Sequence, residues 1–241
     1  MKASRFRLLW QPLKMLLSRA LGPRMVWGFV RGDGEFLAHT RVSNATAVFA
    51  PQRWSVGDHV FVGHFCVLDA SCGLTVGEGC QISASTCIFT HSSHAAIRLY
   101  GRSYVESAPL QAYFTAAVEI GAYTYIGAHS TVLPGSRIGK GCVVSAHSLV
   151  KGEFADFSII RGIPATVVGD TRRGDAELLA RHPELRAHYE AWAGRQDDAA
   201  PAPRGELEPE PEPEPARAPA PASLSVSASA SRPTPVSKAK P

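Results

Sequence analysis

The sequence predicts an all-β solenoid, a coil of short strands with one turn per hexad, and three observations carry that reading. Aliphatic residues recur six apart from Ile120 through Ile126, Val132, Ile138 and Val144 to Val150; they recur again at Val42, Val48, Val56, Val62, Leu68, Val76, Ile82 and Ile88, with two steps of eight. The place four residues after the aliphatic is mostly small, as at Thr124, Ser130, Ser136, Cys142 and Ser148. Glycine often follows the aliphatic directly, as at Gly121, Gly127 and Gly139. A period of six is neither the 3.6 of a helix nor the simple alternation of a strand. Three hexads instead close one triangular coil of about 18 residues, with each aliphatic stacked inward on its counterpart in the next coil. The glycines are expected to serve the tight turns, and the two steps of eight to be two-residue bulges at corners.

The elements follow in chain order. Residues 1–35 form a basic N-terminal segment: Lys2, Arg5, Arg7, Lys14, Arg19, Arg24 and Arg31 precede the first acid. Leu13, Leu16, Leu17, Ala20 and Leu21 fall at helical spacing behind Pro12. This short helix either caps the solenoid or lies on an anionic membrane surface as a peripheral contact. With no long apolar run and no export signal, the chain is expected in the cytoplasm. Nucleic acid is not an expected partner, because the basic residues are not interleaved with stacking aromatics.

Residues 36–170 form the solenoid. Cys66, Cys72, Cys80 and Cys142 occupy the small fifth place of their hexads and Cys87 sits one place later, so all five cysteines are read as packing residues in a reduced compartment. Residues 171–196 form one or two helices divided at Pro183. Leu178, Leu179, Leu185, Tyr189 and Trp192 supply an apolar side expected to cap the open end of the solenoid. From residue 197 to 241 the composition turns to Pro, Ala, Glu and Ser, with 11 of the 18 prolines and Glu-Pro alternating from Glu208 to Pro215. Such a segment buries too little apolar surface to offset its ordering entropy, so a disordered tail is expected.

The beat lapses over about residues 89–117, in an excursion carrying "THSSHAAIRLYG" and the aromatic residues Tyr104, Tyr113 and Phe114. Long excursions from a compact fold are usually functional when ordered. The hexads, this excursion and the later "GIPATVV" together resemble the left-handed parallel β-helix acyltransferases, in particular sugar O-acetyltransferases of the galactoside and maltose type. The left hand comes from that resemblance alone, since most crossovers are right-handed. In the galactoside type the loop runs His, two residues, His, three residues, Arg, two residues, Gly; His91, His94, Arg98 and Gly101 keep this count. The resemblance makes the first histidine, His91, the general base, with His94 as second choice. A neutral imidazole suits the task of taking a hydroxyl proton near neutrality.

The resemblance further implies acetyl-CoA as co-substrate. It places an oxyanion-binding backbone N–H at Ala128 and room for the pantetheine arm at Ala128 and Ala146, with Lys151 near a CoA phosphate. His64, Asp69 and Arg98 are candidates for the acceptor, a sugar or glycan that is nucleotide- or lipid-linked, as in capsule or lipopolysaccharide synthesis. A homotrimer with sites between subunits is implied as well. No metal ligand set is expected. A γ-class carbonic anhydrase shares this fold, and His129 and His147, one coil of 18 apart, should stack about 4.8 Å from each other. The two residues between His91 and His94 do not match the four that separate two ligands in that class. An amino-sugar N-acetyltransferase and a non-catalytic scaffold solenoid are the remaining alternatives.

Overall fold

A computed structural model of the chain describes residues 22–194. The leucines of the expected N-terminal helix and the whole expected tail lie outside the described residues. Within them the chain winds as a parallel β-solenoid of triangular cross-section, with three sheets as its faces. Face A holds Phe61–Val62, Gln81–Ile82, Tyr125–Ile126, Val143–Val144 and Ser158–Gly162, extended at both ends by antiparallel hairpins. Face B holds Ala47–Phe49, Val67–Asp69, Cys87–Ile88, Thr131–Val132 and Leu149–Val150. Face C holds Trp54–Val56, Leu74–Val76, Val118–Ile120, Arg137–Ile138 and Glu153–Phe154.

The predicted aliphatic stacks are in register. Val42, Val62, Ile82, Ile126, Val144 and Ile160 align on face A, and Val48, Leu68, Ile88, Val132 and Val150 on face B. Val56, Val76, Ile120, Ile138 and Phe154 align on face C. The coil length is not constant. Partners lie 20 apart in the first half (68 − 48) and 18 apart after the excursion (144 − 126), then 16 apart at the end (160 − 144). The two extra residues of the early coils sit at the corner between faces B and C, where Pro51–Arg53 makes a 3-10 turn.

The glycines serve a different purpose from the one expected. A Cβ on Gly127 would lie 2.4 Å from the backbone nitrogen of Ala146, and one on Gly121 equally close to that of Lys140. They are therefore demanded by the approach of the next coil. The left-handed turn residue comes two places later, and it is often not glycine: Phe65, Tyr123, His129 and His147 all have φ near +60°. Such a corner projects the side chain outward, and the strain of each is offset by the ladder above and below it.

The two ends of the solenoid differ from expectation. Residues 25–30, assigned to the helical segment, are the strand Met25–Val30, paired antiparallel with Phe36–Ser43, so the sheet begins before residue 36. This hairpin brings Phe29 onto buried Trp54 (ring centroids 4.9 Å), with Leu37 also buried, and so covers the first coil. At the other end the chain forms two helices, Thr171–Arg181 and Arg186–Ala193. They do not plug the open end. Trp192 packs on Tyr123 (4.5 Å) and Phe157 (5.8 Å), and Lys140 Nζ donates to the carbonyls of Trp192 and Ala193. These partners stand on successive coils at the corner between faces C and A, so the helices lie along that edge. Cys66, Cys80 and Cys142 are buried and all five cysteines are free; burial pushes the thiols of Cys80 and Cys142 up to about 11.

Candidate functional site

The excursion leaves face B after Ile88 and returns to face C at Val118, so it spans the single corner at which the earlier coils carry their extra residues. It starts and ends as a ribbon, His91–Ser92 paired antiparallel with Phe114–Thr115, which anchors it to the solenoid. A short helix, Ala96–Tyr100, and a 3-10 turn, Gly101–Tyr104, fill its outer part.

His91 stands at the root of this ribbon. Its Nδ1 lies 2.7 Å from Oδ2 of Asp69, at ion-pair distance but off the direction of a ring hydrogen bond, so the contact is chiefly electrostatic. Its ring stacks on Tyr113 (5.5 Å, 14°). Among the described residues nothing engages Nε2, and the side chain is 35% exposed. Asp69 is buried behind it. Burial pushes the carboxyl upward, but donors outweigh it: Oδ1 accepts from the Ser71 N–H (2.9 Å), and Oδ2 from the Thr90 N–H (3.0 Å) and hydroxyl (2.9 Å). The net result holds Asp69 well below the usual carboxylate range, as an anion. The expected acceptor-binding role of Asp69 is thereby corrected. A buried carboxylate with its lone pairs taken cannot meet a sugar, but it can orient an imidazole and stabilise its charged form.

His94 faces a different space. Its Nδ1 is 2.7 Å from Ser92 Oγ and its ring stacks on Phe114 (5.3 Å, 18°). It lines a cavity of about 560 Å³ with Phe114, Thr115, Leu133, Pro134 and Lys151. Arg98 Nη1 donates to the carbonyl of His94 (2.6 Å), so its guanidinium is used to brace the loop.

The structure thus gathers His91, His94, Asp69, Arg98 and Lys151 at the corner between faces B and C. It does not bring the other candidates there. Ala128 and Ala146 stand between faces A and B, one full side of the triangle away, as does His64, whose Nδ1 is 2.6 Å from Ser43 Oγ. The Ala128 N–H donates to no group among the described residues. His129 and His147 stack on this second corner as expected (5.0 Å, 4°). Sequence reasoning missed Tyr113, Ser71 and Thr90 as supports of His91.

The family described as bacterial transferase hexapeptide (six repeats) matches residues 117–152, and the hexapeptide repeat of succinyl-transferase matches residues 54–88. The unmatched stretch between them is the excursion. The chain thus carries, over these two stretches, the hexapeptide repeats that the transferase family models describe. Among curated relatives, a Mycobacterium tuberculosis protein named as a probable acetyltransferase is 31% identical over 133 residues, 54% of this chain and 42% of the relative. The Escherichia coli K12 protein WbbJ, named for an O-acetyl transferase role in lipopolysaccharide biosynthesis, is 29% identical over 113 residues, 46% of this chain and 57% of its own length. The chain therefore spans about half of these two relatives. An Escherichia coli dTDP-4-amino-4,6-dideoxy-D-glucose acyltransferase is 22% identical over 165 residues, 58% of this chain and 83% of the relative. Among solved structures, the Bacillus cereus N-acyltransferase AntD has a TM-score of 0.48 at 22% identity, covering 61% of this chain and 88% of its own.

Proposed function

We propose that the protein is an acetyl-CoA-dependent O-acetyltransferase acting on a sugar hydroxyl in the synthesis of a surface polysaccharide or lipopolysaccharide. The observation that carries this reading is the His91–Asp69 pair at the root of the excursion, an imidazole with free Nε2 backed by a buried anion. The acceptor hydroxyl loses its proton to His91 Nε2 as its oxygen attacks the thioester carbonyl carbon. The carbon–sulfur bond then breaks, and the imidazolium returns the proton to the departing thiolate. Asp69 favours the charged ring during transfer and needs no proton itself. The oxyanion is met by the Ala128 N–H. No covalent enzyme intermediate is required.

The site also needs a second copy of the chain. His91 and Ala128 occupy different corners, so one copy's excursion must face a neighbour's A–B corner, as a head-to-tail cyclic trimer allows. The outward row of face B, Ala47, Val67, Cys87, Thr131 and Leu149, is uncharged. The same row of face C carries Glu119, Arg137 and Glu153, mutually ion-paired and solvated. Face B is thus the better interface. Among the described residues no helix is long and apolar enough to cross a membrane.

An amino-sugar N-acetyltransferase is the second reading, favoured by the long coverage of the dTDP-amino-sugar acyltransferase. The test is CoA release by the purified protein from acetyl-CoA against paired hydroxy- and amino-sugar nucleotides and lipid-linked sugars. Turnover with hydroxyl acceptors that is lost in His91→Ala supports the first reading. Turnover confined to amino sugars supports the second, and none with any acceptor leaves a scaffold.

A further inference from the structure

A second cluster of chemically capable side chains stands at the first turn of the corner between faces C and A, away from His91. His39 lies on the strand Phe36–Ser43, and Asp58 and His59 on the turn that follows Trp54–Val56. One carboxylate ties all three together. Oδ1 of Asp58 accepts from the His39 N–H (3.0 Å), the His59 N–H (2.7 Å) and the Thr40 hydroxyl (3.0 Å). That oxygen is saturated. Oδ2 has one partner, Nδ1 of His39 at 3.0 Å. The same hydrogen bonds fix the backbones of both histidines to one point, and the left-handed φ of His59 (61°) projects its ring outward. The two rings lie face to face, 4.4 Å apart and 3° from parallel. One ligand atom from each of the three residues falls within 4.8 Å of the others.

We propose that His39, Asp58 and His59 form a binding site for a divalent transition cation of the zinc type. Two imidazoles and one carboxylate are a donor set that such borderline ions favour over calcium or magnesium. The carboxylate is already held by donors on its far oxygen, which is how supporting contacts orient a ligand toward a metal. The ion replaces the proton between Nδ1 and Oδ2. Lone pairs of parallel rings do not converge, so one ring turns about its Cβ–Cγ bond on binding. Exposure of both rings, 59% for His39, leaves room for that turn. Three protein ligands leave the remaining positions to water. The bound ion would pin the N-terminal hairpin to the second coil, a role in stability separate from acetyl transfer.

The test is calorimetric titration of the full chain, carrying no polyhistidine tag, with zinc chloride at pH 7.5. One site per chain is expected, with affinity lowered at least tenfold in His39→Gln and in His59→Gln and unchanged in His129→Gln. Cobalt(II) substituted for zinc should give visible absorption that His39→Gln abolishes. Both histidine variants alter exposed side chains, and circular dichroism checks their fold. Absence of binding up to millimolar zinc overturns the proposal. So does binding that survives His39→Gln and is lost in His129→Gln, which would move the site to the stacked pair on the other corner.

Discussion

Replacing Asp69 by asparagine removes the anion behind His91 and leaves a side chain of the same shape. The size of the effect follows from the contact. At 2.7 Å between Nδ1 and Oδ2, unit charges attract by ~6 kcal/mol at an effective dielectric of ~20 and by ~1.5 kcal/mol in bulk water. The ring is 35% exposed, so the value falls between these bounds. Proton transfer is incomplete in the transition state. Half of each bound gives ~0.8 to ~3 kcal/mol, a fall in kcat of roughly 4- to 150-fold. The assay is initial-rate CoA release at saturating acetyl-CoA, with KM for acetyl-CoA measured alongside and expected to stay within a few-fold. The amide also turns one donor against Ser71 or Thr90, at a cost of about 1–3 kcal/mol in stability. Thr90→Ala is therefore the control: it removes the hydroxyl donor to Asp69, keeps the backbone N–H and leaves the anion in place. The reasoning fails if Asp69→Asn keeps kcat within twofold while folded, or if Thr90→Ala lowers kcat as much.

Three further outcomes follow from the same geometry. His91→Ala should lower kcat by ~10²-fold or more, because a base acts in the transition state, whereas His94→Ala should change chiefly KM; the reverse pattern would exchange their roles. Gly127→Ala should lower the melting temperature, since its Cβ meets the Ala146 nitrogen at 2.4 Å and overpacking costs typically ~1–3 kcal/mol; an unchanged melt would show that the coils can part. The folded-state pKa of Asp69 lies below its unfolded value, so its stabilisation is fully present above about pH 4 and is lost as pH falls below that; acid unfolding of Asp69→Asn should be correspondingly shallower, and identical acid limbs would refute the assignment.

Much of this was legible in the sequence, for a physical reason. A solenoid contacts only its neighbours, so one period predicts nearly every core pair, and Ile126 over Val144 or Val132 over Val150 could be written down in advance. The site was legible only in part. His91 stood out because it opens the break, but its partner was misread as acceptor-binding. The clue was the coil length. In the early coils the step is 20, which sets residue 69 beneath residue 89, beside Thr90 and His91; a uniform step of 18 hides that neighbourhood. The role of Gly121 and Gly127 was misread because a glycine required by a near backbone looks the same in sequence as one required by a turn. The packing of Trp192 along a corner was not legible at all, since an apolar helix face does not say which surface it will cover.

The proposed division of the site between two corners yields a test that needs no structure of the assembly. Ala128 and Ala146 lie between faces A and B, and His91 between faces B and C, so within one chain a whole face of about 15–20 Å separates them. No side-chain motion closes such a gap in a rigid coil, and the thioester cannot meet both in one copy. If the sites are shared, a chain with His91→Ala and a chain with Ala146→Trp carry lesions that fall on opposite sides of each interface. Each variant alone should be inactive, the first for want of a base and the second because the indole fills the space for the donor. Unfolded, mixed in equal amounts and refolded, they form random trimers. In these, an interface with an intact histidine from one copy and an intact alanine from the next arises with a chance of one half times one half, about a quarter. Recovery of about a quarter of wild-type turnover is expected. No recovery, with mixed trimers verified by mass, would mean that each chain builds its site alone, and the assignment of Ala128 and Ala146 to the donor would then be the part to abandon.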